Sequence, residues 1–330
     1  MFDPFYPFHW LATQIVTQLF RLSLTSHLGS SLHFFFYDVP KVLTLLLVIS
    51  FIVGTLQSLL QPERVRYWLG GKRTLIGNFM AAMVGIITPF CSCSAVPLFI
   101  GFLEAGVPLG VTFSYLISAP MVNEVAVVLL WGLFGFKVTL LYIGFGVVLA
   151  ILAGYVIGLL KLEQGVEPFV WELQESRHGL SQNHRDLESK SMTWKQRFEQ
   201  GQYQASEIFK SVWMYVVIGI AIGAGIHGYV PADFIVKWAG ASNPFAVPIA
   251  VVMGVPLYAN IAGVLPITEA LVGKGMPLGT VLSFTMAVTA LSLPEMVILR
   301  KVLRPNLLSL FIALVTLGII SIGYLFNLIL

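Results

Sequence analysis

Gly106-Val107-Pro108-Leu109-Gly110 recurs 169 residues later as Gly275-Met276-Pro277-Leu278-Gly279, and its surroundings recur with it. At that offset residues 41–114 fall on 210–283 without a gap, and fourteen of the 74 positions are identical. Gly54/Gly223, Pro62/Pro231, Gly71/Gly240, Gly85/Gly254 and Pro97/Pro266 are among them. Glycine and proline set where a backbone can and cannot bend. Matching them means matching bends, which apolar composition alone does not produce. The chain therefore reads as two duplicated halves.

The composition says where these halves sit. Of 330 residues only 11% are charged and 57% are hydrophobic, with a mean hydropathy of +0.86. An average soluble domain has roughly 25% charged residues. So little charge cannot cover a soluble surface of this size. A soluble enzyme and a disordered chain are excluded. A net charge of +3 gives no basis for binding nucleic acid. Two cysteines exclude a disulfide scaffold.

Charge-free runs cover 42–62, 74–103, 105–123, 138–160, 211–232, 238–268, 275–294 and 305–330. A spanning helix needs about 20 apolar residues. The runs 42–62, 138–160, 211–232 and 305–330 meet that length directly. Those at 74–103 and 238–268 exceed one span and contain proline and glycine. They read as broken or re-entrant hairpins whose freed backbone groups are satisfied inside the protein. Segments 108–134 and 278–299 supply the remaining spans. Thirteen of the 35 charges lie in 161–205, a polar linker rich in Ser, Gln and Asn. Trp10 to Thr25 reads as an interfacial amphipathic helix, with no clear signal peptide.

The expected organisation is an N-terminal interfacial segment (1–36), a first membrane repeat (37–160), a cytoplasmic linker (161–205) and a second repeat (206–330). The fold class is an all-α polytopic membrane protein, each repeat having about three spanning helices and one hairpin. Three crossings plus a hairpin invert the second half relative to the first. Basic residues agree with that count. Arg64, Arg66, Lys72, Arg73, Lys210, Arg300, Lys301, Arg304 and the linker lie on the inner side. The outer side carries Lys41, Lys137, Lys237 and Lys274, with Arg21 if the first segment lies there. Inverted repeats with discontinuous helices are the plan of many secondary transporters. The expected location is a bacterial-type inner (plasma) membrane. The expected partners are the bilayer and a small-molecule or ion solute, and the plan is compatible with a homo-oligomer.

Both cysteines lie in the first broken segment, Thr88-Pro89-Phe90-Cys91-Ser92-Cys93-Ser94-Ala95-Val96-Pro97. In extended backbone Cys91 and Cys93 would point to one side. Prolines 89 and 97 argue against regular helix there. Two thiols facing one cavity would suit a soft solute such as Cu(I), zinc or trivalent arsenic, with Ser92 and Ser94 adding hydroxyls. A free cysteine also packs well as a small apolar residue. In the second half Asn260 falls on Cys91 and Ala262 on Cys93, with Tyr258 close by, so the site would be asymmetric.

These residues carry a resemblance. Thr-Pro-Phe-Cys-Ser-Cys-Ser at 88–94, Gly-x-Pro-Leu-Gly at 106–110 and Ser-Ala-Pro-Met-Val-Asn-Glu at 118–124 resemble the ArsP/YraQ-like permeases over roughly residues 40–330. The resemblance implies a permease. In the ArsP-related branch it implies export of trivalent organoarsenicals bound through thiols.

Glu124 and Glu295 lie inside apolar spans of the two halves. Charge within a bilayer is costly and marks function by default, so both are candidates for proton or ion coupling. A structural role bracing the adjacent proline break is the other reading. Glu269 is a weaker candidate, and Asn123 is a polar cavity liner or a structural amide. Gly70-Gly71-Lys72-Arg73 is not a phosphate-binding loop, and the six histidines have no metal-ligand spacing. No enzyme, cofactor or metal site is expected. The alternatives are a permease for a sulfur oxyanion or thiol metabolite and, from another class, a thiol-redox or sulfur-transfer enzyme acting through Cys91.

Overall fold

The computed structural model describes residues 6–57, 74–87, 92–168, 170–171, 194–227, 238–240, 243–257 and 261–330. Apart from one isolated bridge, Val166 to Leu303, the described residues form helices and turns. The first half contains α1 (Tyr6–Gln14), α2 (His27–Gln57), α3 (Thr74–Ile87), α4 (Ser92–Glu104), α5 (Leu109–Met121) and α6 (Glu124–Leu159). The second contains α7 (Trp194–His227), α8 (Ala246–Gly254), α9 (Ile261–Gly273), α10 (Leu278–Ala290), α11 (Leu293–Val302) and α12 (Pro305–Ile329).

Helix boundaries follow the 169-residue offset. Displaced by it, α4 falls on α9 and α5 on α10 at both ends, and α6 begins where α11 begins. The turns before α5 and α10 share their backbone. Gly106 and Gly275 have φ of 77° and 85°, a region that favours glycine. Pro108 and Pro277 cap the helices with nearly equal angles, φ −55° and ψ 140° against φ −59° and ψ 137°. Proline suits this place because a helix start has no use for its missing N–H. The long last helix is interrupted at equivalent places by different means. In α6 Gly135 has φ 83° and ψ 173°. In the second half extended Leu303 and Arg304, followed by Pro305, separate α11 from α12.

The core is built on α5 and α10. All thirteen residues of α5 are buried, and so are twelve of α10. The two pack against each other and against neighbours from both halves. In lipid, association rests on close packing rather than on hydrophobic drive, which favours small residues at helix contacts. Here the close approach is repeated. A methyl group on Gly110 of α5 would strike the Gly154 carbonyl oxygen and lie 2.7 Å from Gly158 Cα of α6. One on Gly154 would strike Ser114 Oγ. In the second half a methyl on Gly279 of α10 would lie 2.5 Å from the Gly323 carbonyl oxygen of α12, and one on Gly323 would strike Ser283 Oγ. A second crossing repeats too: Gly85 of α3 sits against Ser118 and Tyr115 of α5, and Gly254 of α8 against Ala287 and Phe284 of α10.

One expectation needs correction. The segments 108–134 and 278–299 are not single straight spans. Each is two helices, broken at Val122–Asn123 and at Leu291–Ser292. The pair α10 and α11 is bent by 44°. Among the described residues two helices are alone long and apolar enough to cross a membrane, Ala126–Leu159 and Pro305–Ile329, or three if that bent pair is one span. The expected spans 42–62 and 211–232 run beyond Gln57 and His227 into residues outside the described set. The expected breaks in 74–103 and 238–268 correspond to helices ending at Ile87 and Gly254 and restarting at Ser92 and Ile261. Polar residues 194–205 form the first turns of α7, which packs along α2.

The start of the polar linker is tied to the second half. Glu167 N–H donates to the Val302 carbonyl at 2.9 Å, and Arg304 N–H donates to that of Gly165 at 2.7 Å. Arg300 Nη1 meets Glu167 Oε1 at 3.1 Å.

At the other end α1 docks on α2 through a titratable cluster. Thr13 Oγ1 lies 3.1 Å from His33 Nε2, the His9 and His33 rings are 4.9 Å apart, and His9 is 5.6 Å from the Tyr37 ring. Lys41 Nζ lies 4.8 Å over the Tyr37 ring and 3.9 Å from Asp38 Oδ1. Burial, then the neighbouring His9, holds the His33 imidazole below its usual value. Burial pushes the Asp38 carboxyl up to about 6 against the pull of Lys41.

Two predictions follow from this packing. Gly110→Ala and Gly279→Ala should each destabilise the detergent-solubilised protein by about 1–3 kcal/mol. Gly144→Ala, with nothing within 4 Å, should be neutral or gain up to about 1 kcal/mol of helix propensity. Thermal unfolding of the three variants checks this. The second concerns pH. A lowered histidine value means that docking of α1 weakens as pH falls below about 6.5. Asp38 works the other way, its cost growing as pH rises from about 4 to about 6. Hydrogen exchange of α1 should therefore show lost protection on acidification, blunted in His33→Gln and deepened in Asp38→Asn.

Candidate functional site

Two helix breaks meet within the second half, and helices of the two halves cross near them. Leu293 N–H, at the start of α11, donates to the Val255 carbonyl just past α8 at 2.9 Å. The break between α10 and α11 thus adjoins the break between α8 and α9. In the first half α3, which precedes the cysteine segment, packs on both α5 and α6. Across the halves the contacts are reciprocal: α4 packs on α11, and α9 packs on α6. The helix that carries Cys93 therefore lies against the helix that carries Glu295. The helix following Asn260 lies against the one that begins at Glu124.

Individual residues divide into three groups. Cys91, Tyr258 and Asn260 lie outside the described residues. Ser92, Cys93 and Ser94 form the first turn of α4, which corrects the expectation of irregular backbone for 92–97. Helix begins at Ser92, and Pro97 lies within α4. The argument that residues two apart face one side belongs to extended chain. It concerns Cys91 and Cys93, of which only Cys93 lies in the described helix.

The remaining candidates are placed more fully. Asn123 caps α6, with extended backbone and its Oδ1 accepting the Ala126 N–H at 2.7 Å. Asparagine is among the best residues for that duty, since a helix start has N–H groups without intrahelical partners. The structural reading of its amide thus has a specific content. Glu124 opens α6. Glu295 is in the first turn of α11 and only 2% exposed. A carboxylate is favoured at a helix start by the peptide dipoles, yet this one is held away from the surface of the bundle. Glu269 on α9 is exposed and does not join Glu295 in the interior, although its neighbour Thr268 is buried.

Other polar residues of the interior escape a sequence reading. Asn78, Tyr115, Tyr142, Thr289 and Ser292 are buried within apolar stretches. The signal available for Tyr142 is a phenol inside the charge-free run 138–160. Most of the serines and threonines around the core donate back to their own helix, as Ser283 does to Gly279 at 2.7 Å and Thr285 to Val281 at 2.9 Å. Such bonds let hydroxyls be buried in a helix without an outside partner. Among the described residues no three of His, Cys, Asp and Glu converge as metal ligands would.

The chain is similar to several known proteins. The chain is 22% identical to the UPF0718 protein MJ0584 of Methanocaldococcus jannaschii, an alignment covering 89% of this chain and 94% of that one. It is 25% identical to a protein of Streptococcus mutans named a putative two-component membrane permease complex subunit, over 64% of this chain and 68% of the other. It is 24% identical to the UPF0718 protein YcgR of Bacillus subtilis, over 54% of this chain and 56% of that one. No solved structure matches. The profile of the ArsP_1 family, described as predicted permease, matches residues 27–328. With nearly the whole length covered and a polytopic helical bundle in place, the chain belongs to the ArsP family of predicted permeases.

Proposed function

We propose that this permease is a secondary transporter of two inverted repeats in the plasma membrane, with linker 161–205 on the cytoplasmic side. It moves a small soft or sulfur-related solute, and trivalent organoarsenicals are the class it fits best. The observation that carries this reading is the reciprocal crossing of broken helices, α4 on α11 and α9 on α6. Broken helices leave backbone N–H and C=O groups unused at membrane depth, and transporters use such groups to hold solute. On this reading Cys91 and Cys93 bind the soft centre, and Ser92, Ser94, Tyr258 and Asn260 line the same cavity. Asn123 serves it by fixing the start of α6.

Glu295 and Glu124 are the coupling residues in this proposal, and Glu269, exposed on α9, has a peripheral part. A carboxyl held inside the bundle changes charge only by taking or losing a proton, which links the solute cycle to a proton gradient. Glu295 carries most of this argument because it is buried at a break whose backbone is bonded to the neighbouring break, Leu293 to Val255.

Two experiments test the proposal. Everted membrane vesicles holding the parent protein should accumulate methylarsenite, and Cys91→Ser/Cys93→Ser should reduce the initial rate at least about tenfold. Parental rates in that variant would remove the thiols from the mechanism. Uptake by the parent should vary with pH, and Glu295→Gln should flatten the profile. An unaltered profile would assign Glu295 to packing. Vesicles that move thiosulfate and not methylarsenite would favour the sulfur-oxyanion reading.

A further inference from the structure

The helices α6 and α12, each long and apolar enough to cross a membrane, leave a groove of about 370 Å³ between them. They run antiparallel. The Phe145 and Phe326 rings meet at 5.2 Å near one end, and Gly165, just past α6, abuts Leu307 near the other. Leu149, Ala153, Gly318 and Ile322 line the depth of the groove, and Leu152 and Val156 stand exposed at its rim. The rim continues along α6 in exposed Leu159 and Leu160 and ends at Lys161. Among the described residues one lining side chain is polar, Ser321, and its hydroxyl donates to the Leu317 carbonyl at 2.8 Å. The groove therefore offers no open hydrogen-bonding group to a polar solute, and hydrocarbon suits it.

The repeat fixes the depth of the groove. Leu149 and Gly318 are counterparts at the 169-residue offset, and a methyl on Gly318 would strike Leu149 Cδ1. Equivalent residues of the two halves thus meet each other, which on the inverted-repeat reading happens at mid-membrane. From that crossing Lys161 lies 12 residues along the chain of α6, and Arg304 lies 14 residues back along α12. At helical rise these are about 18 and 21 Å. Half of a bilayer's hydrocarbon core is about 15 Å. Both cations therefore stand at headgroup level, and the path from them to the crossing is one leaflet deep.

Charge is concentrated at this end of the helix pair. Residues 161–168 and 300–304 hold four basic residues and two acidic ones, and Arg300 is held by Glu167 at 3.1 Å. The opposite ends, 131–137 and 324–330, hold Lys137 alone. Lys161 and Arg304 are exposed, and among the described residues neither forms an ion pair. Lys161 follows the end of α6, where peptide dipoles favour a cation. Arg304 precedes the start of α12, where they disfavour one, and its side chain makes no cap. An anion held there accounts for it. We infer that α6 and α12 bind one anionic phospholipid, its phosphate on Lys161 and Arg304 and one acyl chain in the groove as far as the crossing. Charge complementarity selects this occupant. A second copy of the chain packed here about an axis normal to the membrane would set its own cations against these.

The test has two arms, and neither needs a transported solute. Native mass spectrometry of the parent, released from micelles holding equal phosphatidylglycerol and phosphatidylcholine, should show phosphatidylglycerol retained at least about fivefold better. Lys161→Gln/Arg304→Gln should bring that ratio near one, and Lys161→Arg/Arg304→Lys should keep it. Equal retention by the parent, or an unchanged ratio in the glutamine variant, would overturn the site. A dimer carrying no lipid would overturn it in favour of a second copy. The second arm locates the chain. In the Cys91→Ser/Cys93→Ser background, bimane is attached to Ser321→Cys in the groove or to Leu317→Cys, exposed outside it. Phosphatidylglycerol brominated in its acyl chains, supplied at one lipid per protein, should quench the first label at least about twofold more than the second. Equal quenching would overturn the seating of the chain in the groove.

Discussion

The structure depends on how closely two short helices can approach their neighbours. The helices α5 and α10 are thirteen residues each and buried almost throughout, so neither has a face to spare for lipid or water. Surrounding helices can enclose them only where side chains are absent. Gly110 against Gly154 and Gly279 against Gly323 provide that absence, and Ser114 and Ser283 sit in the space left. Dispersion falls off over fractions of an ångström. In a bilayer, where apolar burial adds little between helices, such contacts decide which helices pair. The same crossing built twice gives the bundle its two-part plan.

That close centre leaves the irregular backbone at its margins. Each short helix is followed within two residues by another that departs in a new direction, at Val122–Asn123 and at Leu291–Ser292. The open backbone groups at these corners are met by local means. Asn123 caps α6, and Leu293 reaches Val255. The corners are also where buried Glu295 and Tyr142 come near the crossing helices of the other half. The centre is closely packed, and buried polar groups collect at its corners.

The two halves are alike in backbone and unlike in chemistry. Phe311 replaces Tyr142 at equal burial. Asn327 stands where Gly158 does, and its amide bonds Thr280 at 3.2 Å, a contact without a counterpart in the first half. The glycine at 135 and the proline at 305 interrupt the last helix in equivalent places by different chemistry. Duplicated backbones with diverged side chains place two different sets of groups around one meeting point.

Much of the frame was legible in the linear order of residues. Gly106, Pro108, Gly275 and Pro277 predict the ends of four helices, because a positive φ and a missing N–H act within a few residues of chain and need no tertiary partner. The absence of charge likewise identifies a membrane protein, since lipid acts on every exposed residue alike. The candidate site was legible only in part. Irregular backbone was expected between prolines 89 and 97, but Pro97 lies inside α4, which continues on both sides of it at the cost of one intrahelical hydrogen bond. Sequence ranks Glu269 below Glu295 without deciding burial, and only the folded helices bury one and expose the other. Tyr142 could not be singled out from an apolar run, because a phenol is at home in any membrane helix. Its hydroxyl meets that of Thr289, 147 residues away. Backbone turns are local and therefore written in sequence. Which polar atoms meet is set by the nearest groups in space, and only the tertiary structure decides that.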